Sequence, residues 1–219
     1  MDFKKVKVFI SWSGPSSKAV AEALHEWLKL VLNKLEPWIS SDDIDPGTRW
    51  SAAVAKALSE SKVGIICLTP ENTAAPWILF EAGALAKTLE GTFVCPYVLF
   101  DLKLSNLPDP LKQFQALKGD KEGTRRLVDV LNKALGRGGI DTKLLDHAFK
   151  ALWPDLNRRF RKIQQLHQEL ARKATGKSVS EMTVEELYLN FKDQPAPFSA
   201  LPSIRKLRKQ KVRPWREPR

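Results

Sequence analysis

The sequence predicts an α/β protein with a flavodoxin-like, doubly wound, five-stranded parallel sheet and a C-terminal helical extension. Three observations carry this. The strand-like runs are apolar without alternation, as strands covered on both faces are. Helical patterns of ten or more residues separate them, long enough for the crossovers that parallel strands require. The strand-helix alternation repeats about five times, and a polar or Pro/Gly-bearing loop closes each strand.

The run VKVFIS (6–11) is rich in β-branched and aromatic residues and leads into WSGPSS, so it reads as a buried strand ending in a loop. Val20, Ala23, Leu24, Trp27, Leu28, Val31 and Leu35 then recur three and four residues apart, the period of a helix with one apolar face. A short strand at PWIS (37–40) precedes the polar loop SDDIDPGTRW and a helix carrying Ala52, Val54, Ala55 and Leu58. KVGIICLT (62–69) and TFVCPYVLF (92–100) are further continuous apolar strands. Between them, TPENTAAPW opens a helix that contains PWILFEAGAL (76–85). A weaker strand is expected at FQAL (114–117), before the helix GTRRLVDVLNKAL (123–135). In this fold ligands bind beyond the carboxyl ends of the strands, where SWSGPSS, SSDDIDPGTRW and TPENTAAPW gather.

After Gly138-Gly139 the chain turns to helix again. DTKLLDHAFKALW is expected to be interrupted at Pro154, because proline removes a helical hydrogen bond. Beyond it Leu156, Phe160, Ile163, Leu166 and Leu170 form one stripe, whose first half is expected to pack back on the domain rather than on a second chain. TVEELYLNF reads as one more short helix, with Thr183 and Glu186 at capping-box spacing. The organisation expected is therefore a domain over residues 1–138, a helical extension over 139–174, and a segment 175–219 made of a short helix, a Pro-rich connector and a basic, disordered tail.

A hydrophobic content of 43% is ordinary for a globular protein of 219 residues, which has room for one sizeable core. No apolar run approaches the roughly 20 residues needed to cross a bilayer. The start MDFKKVKVFI lacks the apolar stretch of a signal peptide, so a cytoplasmic location without membrane partner is expected. The formal charge of +11 is unevenly placed: residues 158–219 hold 16 Lys and Arg against 6 Asp and Glu, which leaves the rest nearly neutral. Cys67 and Cys95 sit in apolar runs far from a second ligand cluster and read as buried, reduced thiols, not as a metal site or a disulfide.

Several enzyme classes are excluded by their missing motifs. No Gly-rich phosphate loop follows the first strand, and neither a GKS/T motif nor a GxSxG elbow occurs. His25, His147 and His167 are scattered on helices and read as surface or packing residues; no metal is expected. Asp42-Asp43 follows the second strand, whereas phosphoacceptor receivers carry their acidic pair after the first. One residue stands out. Glu81 lies in an otherwise apolar helical run, where an unpartnered buried carboxylate costs several kcal/mol. It either turns to solvent or has a task, and in a helix it shares a face with Trp77 one turn earlier.

Taken in order, VFISWS, DDIDPGTRW and VGIICLTPENTAAPWILFEAGAL resemble three successive signature regions of bacterial Toll/interleukin receptor (TIR) domains, over roughly residues 5–135. The resemblance implies one of two functions. Some members are non-catalytic adaptors that signal through homotypic contacts. Others cleave NAD+ at the nicotinamide-ribose bond, and there the Glu matching Glu81 is essential. In that reading NAD+ is a substrate, no cofactor is needed, and the products are nicotinamide with ADP-ribose or a cyclised isomer, in a role such as anti-phage defence.

The same resemblance points to substrate-binding residues. Trp77 offers a flat apolar surface for a base, and Ser11 and Ser13, with Trp12 between them, close the first strand where ribose or diphosphate would lie. Relatives often place an aromatic and then a basic residue here, whereas this chain has Trp12-Ser13-Gly14; Lys18 or Arg49 then stands in for the diphosphate contact, or is merely solvated. Trp38 and Trp50 are further aromatic candidates, for which core packing is the favoured use. Asp45, Pro46 and Gly47 satisfy a simple turn. The family reading makes them an assembly loop that docks on a neighbouring copy, so that a homo-oligomer is the active form. A separate sensor or trigger protein is a further expected partner. The basic tail with Trp215 is either solubilising or a salt-sensitive binder of nucleic acid.

Overall fold

In a computed structural model that describes residues 5–39, 60–73, 93–107, 109–175, 182–183 and 186, the apolar runs become one all-parallel sheet. Its strands are β1 (Val6–Ser11), β2 (Leu35–Ile39), β3 (Val63–Leu68), β4 (Phe93–Val98) and β5 (Leu117–Lys118), in the order β2-β1-β3-β4-β5. That is the flavodoxin-like order, with its reversal between β1 and β3. Register is set by apolar pairs: Val8 lies beside Val63, Ile10 beside Ile65, and Ile65 beside Cys95. Every residue of β3 is buried, which explains why that run shows no polar alternation.

Among the described residues the α-helices are α1 (Pro15–Val31), the short α2 (Asp109–Lys112), α3 (Lys121–Ala134) and α4 (Thr142–Thr175). Pro15 opens α1 at a position where a missing N–H costs nothing. Asp120 caps α3 by accepting from the Gly123 amide at 2.8 Å. On one face of the sheet, Val8, Ile10, Ile65 and Tyr97 meet Leu24, Trp27 and Leu28 of α1, Leu127 and Leu131 of α3, and Leu156, Phe160 and Ile163 of α4 in one cluster.

The expected break at Pro154 does not occur: α4 runs 34 residues through the proline. The ring displaces the hydrogen bond to the Lys150 carbonyl, but both residues are on the exposed side of the helix, where that carbonyl is open to solvent. The other face of α4 is anchored. Trp27 donates its indole N–H to the Leu152 carbonyl at 3.0 Å and packs edge-on against Phe149, while Arg159 reaches Glu26 at 2.7 Å. These contacts lay the first two thirds of α4 antiparallel on α1, as the apolar stripe predicts. Asn132 closes the turn into α4, donating to the Ile140 carbonyl and accepting from its amide.

The strand expected at FQAL is displaced: β5 is only Leu117–Lys118, because just Tyr97 and Val98 of β4 have partners there. The helices expected around Ala52–Leu58 and 76–85 lie outside the described residues. Thr183 and Glu186 do form the reciprocal capping box, at 2.8 and 3.1 Å.

Candidate functional site

The reversal of strand order places a crevice at the carboxyl ends of β1 and β3, and the chain furnishes it from three directions. From β1 come Ser11, which is fully buried, and Trp12 and Ser13, which are half-buried. Gly14 follows with φ 86° and ψ 163°, a conformation open essentially to glycine alone, and this turns the chain into α1. Ser17 locks the turn: its hydroxyl donates to the Ser13 carbonyl at 2.6 Å and accepts from the Ser13 amide at 2.9 Å. The backbone of Ser13 is thereby committed to structure. Lys18 lies 5.3 Å from the centre of the Trp12 ring and 3.8 Å from Glu22, so its charge is partly engaged.

From β3 comes the turn Thr69–Thr73. Asn72 shapes it, accepting from the Thr69 amide at 3.0 Å and donating to the Cys67 carbonyl at 2.9 Å. This brings Glu71 beneath the first turn of α1, with its Cγ 3.9 Å from where a side chain at Gly14 would begin. The first turn of α1 has no acidic residue of its own, and the positive end of the helix favours the buried carboxylate.

From α4 comes His167, only 1% exposed. Its Nδ1 lies 2.9 Å from the Ser16 hydroxyl and its Nε2 3.7 Å from a Glu71 oxygen, and Phe100 stacks on its ring at 6.4 Å. His167 is thus a packing residue, as expected, but one with polar work.

Buried polar atoms gather at this crevice. Trp12 Nε1, Thr69 Oγ1 and both Glu71 carboxylate oxygens find no hydrogen-bond partner among the described residues. Buried polar groups are normally satisfied, so such a concentration marks a place where other groups belong. Among the described residues no set of His, Cys, Asp and Glu side chains converges to hold a metal ion, and no helix is long and apolar enough to cross a membrane.

The family model for the TIR domain matches residues 8–131, more than half of the chain. The chain belongs to the TIR-domain family. The match runs from β1 to the last turns of α3, so helix α4 lies beyond it. Among solved structures, this TIR-domain chain is similar to the TIR domains in the structure of the activated Roq1 resistosome directly recognizing the pathogen effector XopQ. There the identity is 16% and the TM-score 0.40, with 69% of this chain and 99% of that chain covered. No curated protein matches the chain.

The crevice of this TIR domain brings together Ser11, Trp12 and Ser13 with Lys18. Trp38 is elsewhere: it stacks on Phe9 at 5.4 Å, on the sheet face away from α1, and packs there. Glu81, Trp77, Arg49, Trp50 and the loop residues Asp45, Pro46 and Gly47 lie outside the described residues. Ser16, Glu71, Asn72 and His167 are additions that the sequence did not disclose. The one local signal was Glu71 itself, an acidic residue three positions beyond a wholly apolar strand.

Proposed function

We propose that this TIR-domain protein is an NAD+ glycohydrolase that uses Glu81 to break the nicotinamide-ribose bond. One observation carries the reading: the Trp77-x-x-x-Glu81 pair follows directly on a turn that opens into the β1/β3 crevice. Three residues separate Trp77 from Thr73, a tether of at most about 14 Å. The half-buried Trp12 ring, with Lys18 5.3 Å from its centre, gives that crevice an aromatic face beside a positive charge, suited to a base or a diphosphate.

The chemistry asks little more of the protein. Nicotinamide departs from NAD+ as a neutral group, and positive charge develops on the ribose as it leaves. A carboxylate fixed beside the ribose stabilises that charge and orients the hydroxyls. Trp77 supplies a flat surface for a base, and Ser11 and Ser13 mark the end of β1 where the ribose and diphosphate lie. Attack by water gives ADP-ribose; attack from within the molecule gives a cyclised isomer. The loop Asp45-Pro46-Gly47 joins copies of the chain, and assembly switches on activity, in the cytoplasm of a cell defending itself against infection.

The test is chromatographic. Wild-type protein incubated with NAD+ releases nicotinamide, Glu81→Ala releases none while keeping its circular dichroism spectrum, and Trp77→Ala is reduced. Retained turnover in Glu81→Ala removes the reading.

A further inference from the structure

A cavity of about 660 Å3 lies at the carboxyl ends of β4 and β5, beside the β1/β3 crevice in the sheet order. Its walls come from three parts of the chain: the turn after β4, the start of α3, and α4. We propose that this cavity binds a phosphorylated small molecule of mononucleotide size.

Charge is the first argument. Lys103 from the turn after β4, Lys118 from β5 and Arg161 from α4 all line the cavity, although they come from different elements. None of the three makes an ion pair with any other described residue. The two acids in the same lining are already committed. Asp101 accepts from the Gln164 amide at 3.1 Å, and Asp120 caps α3. Three cations against two carboxylates leave the lining one positive charge in excess, and with no ion-pair partner among the described residues the three cations are open to a phosphate monoester, which carries roughly −1.5 to −2. Arginine and lysine are the side chains that bind such groups best.

Size and floor are the second argument. A single phosphate would leave most of the volume unfilled, whereas small-molecule sites span about 300–1,000 Å3. Phe160 and Leu102, both buried, give the cavity an apolar floor for a ring. Phe100 and Asp101 hold φ of 55° and 62°, so two successive non-glycine residues adopt the left-handed conformation in the turn that forms one wall. Such outliers persist where the surroundings impose them, commonly around bound ligands. Because α4 contributes Arg161, Gln164 and Asn157, ligand binding bridges this helix to the sheet and adds to its hold.

Isothermal titration of the full chain with AMP, and separately with adenosine, tests this without reference to NAD+ cleavage. AMP is expected to bind saturably at one site per chain, and adenosine at least about tenfold more weakly. The double substitution Lys118→Ala with Arg161→Ala is expected to weaken AMP binding at least about tenfold, while Trp77→Ala and Glu81→Ala leave it unchanged. The thermal midpoint of the unliganded double variant stays near wild type, since both side chains are exposed. Three results would each overturn the assignment: no saturable AMP binding at millimolar concentration, equal affinity for adenosine, or AMP binding lost in Trp77→Ala but intact in the double variant.

Discussion

The Ser16 hydroxyl lies 2.9 Å from His167 Nδ1, a contact across 151 positions of sequence that pins the far part of α4 to the first turn of α1. Glu71 stands on the other side of the imidazole, so serine, histidine and carboxylate lie in a row. In hydrolases such a row activates the serine. Here the row joins the first turn of α1 to α4 through buried side chains, which makes it a fastening between a family domain and a helix beyond it.

If that fastening is real, its members are energetically coupled. Ser16→Ala and His167→Ala are each expected to cost about 1–3 kcal/mol, because each leaves a buried polar group without its partner. In a double-mutant cycle by urea denaturation the two losses overlap by more than about 0.5 kcal/mol. Simple additivity would show that the contact contributes nothing.

Gly14 sets the entry angle of α1. With φ 86° and ψ 163° it occupies a region costly to any other residue, and Gly14→Ala is expected to lose on the order of 1–3 kcal/mol. The same change shifts Trp12 and Ser13 and so lowers any activity housed in the crevice. An alanine variant as stable and active as the wild type would place that turn in a different conformation.

Trp27 joins α1 to α4 through both area and a hydrogen bond. Trp27→Phe keeps most of the area but loses the bond to the Leu152 carbonyl, a cost of about 0.5–1.5 kcal/mol. Trp27→Ala loses both, at about 3–5 kcal/mol. Hydrogen exchange reads the outcome locally: amides of residues 149–163 lose protection first.

Alkaline pH tests the burial of the two thiols. Burial pushes the Cys95 thiol up to about 12 and raises Cys67 above its ordinary value as well. Below the unfolded thiol value of about 8.5, both states are protonated and the contribution is fully present. Above it the unfolded chain ionises first, so stability falls as pH rises towards 12, by up to about 1.4 kcal/mol per pH unit for each thiol. Urea midpoints at pH 8, 9 and 10 should show a smaller decline in Cys95→Ala than in the wild type. Equal slopes would mean that Cys95 is accessible to water in the folded protein.

Strands and their order were legible because burial on both faces leaves unbroken apolar runs, as in VGIICL of β3. What the sequence concealed arises from context. Pro154 breaks an isolated helix, yet α4 is held on both sides of it by Trp27 and by Glu26. At β5 the pairing offered by β4 ends after two residues, which no local propensity at FQAL could reveal. Within the site, Trp12 and the serines around it were readable as a strand end. His167 was not: its polar partners are Ser16 and Glu71, each about a hundred or more positions away, and helical periodicity reports only that it is on the buried face.

The most direct measurement of the central claim is NAD+ consumption by purified wild-type and Glu81→Ala protein over a concentration series, with a crowding agent to favour assembly. The account predicts nicotinamide release by the wild type that rises faster than protein concentration, and none by Glu81→Ala. NAD+ left intact by the wild type at every concentration, or turnover shared equally by the two proteins, would contradict it.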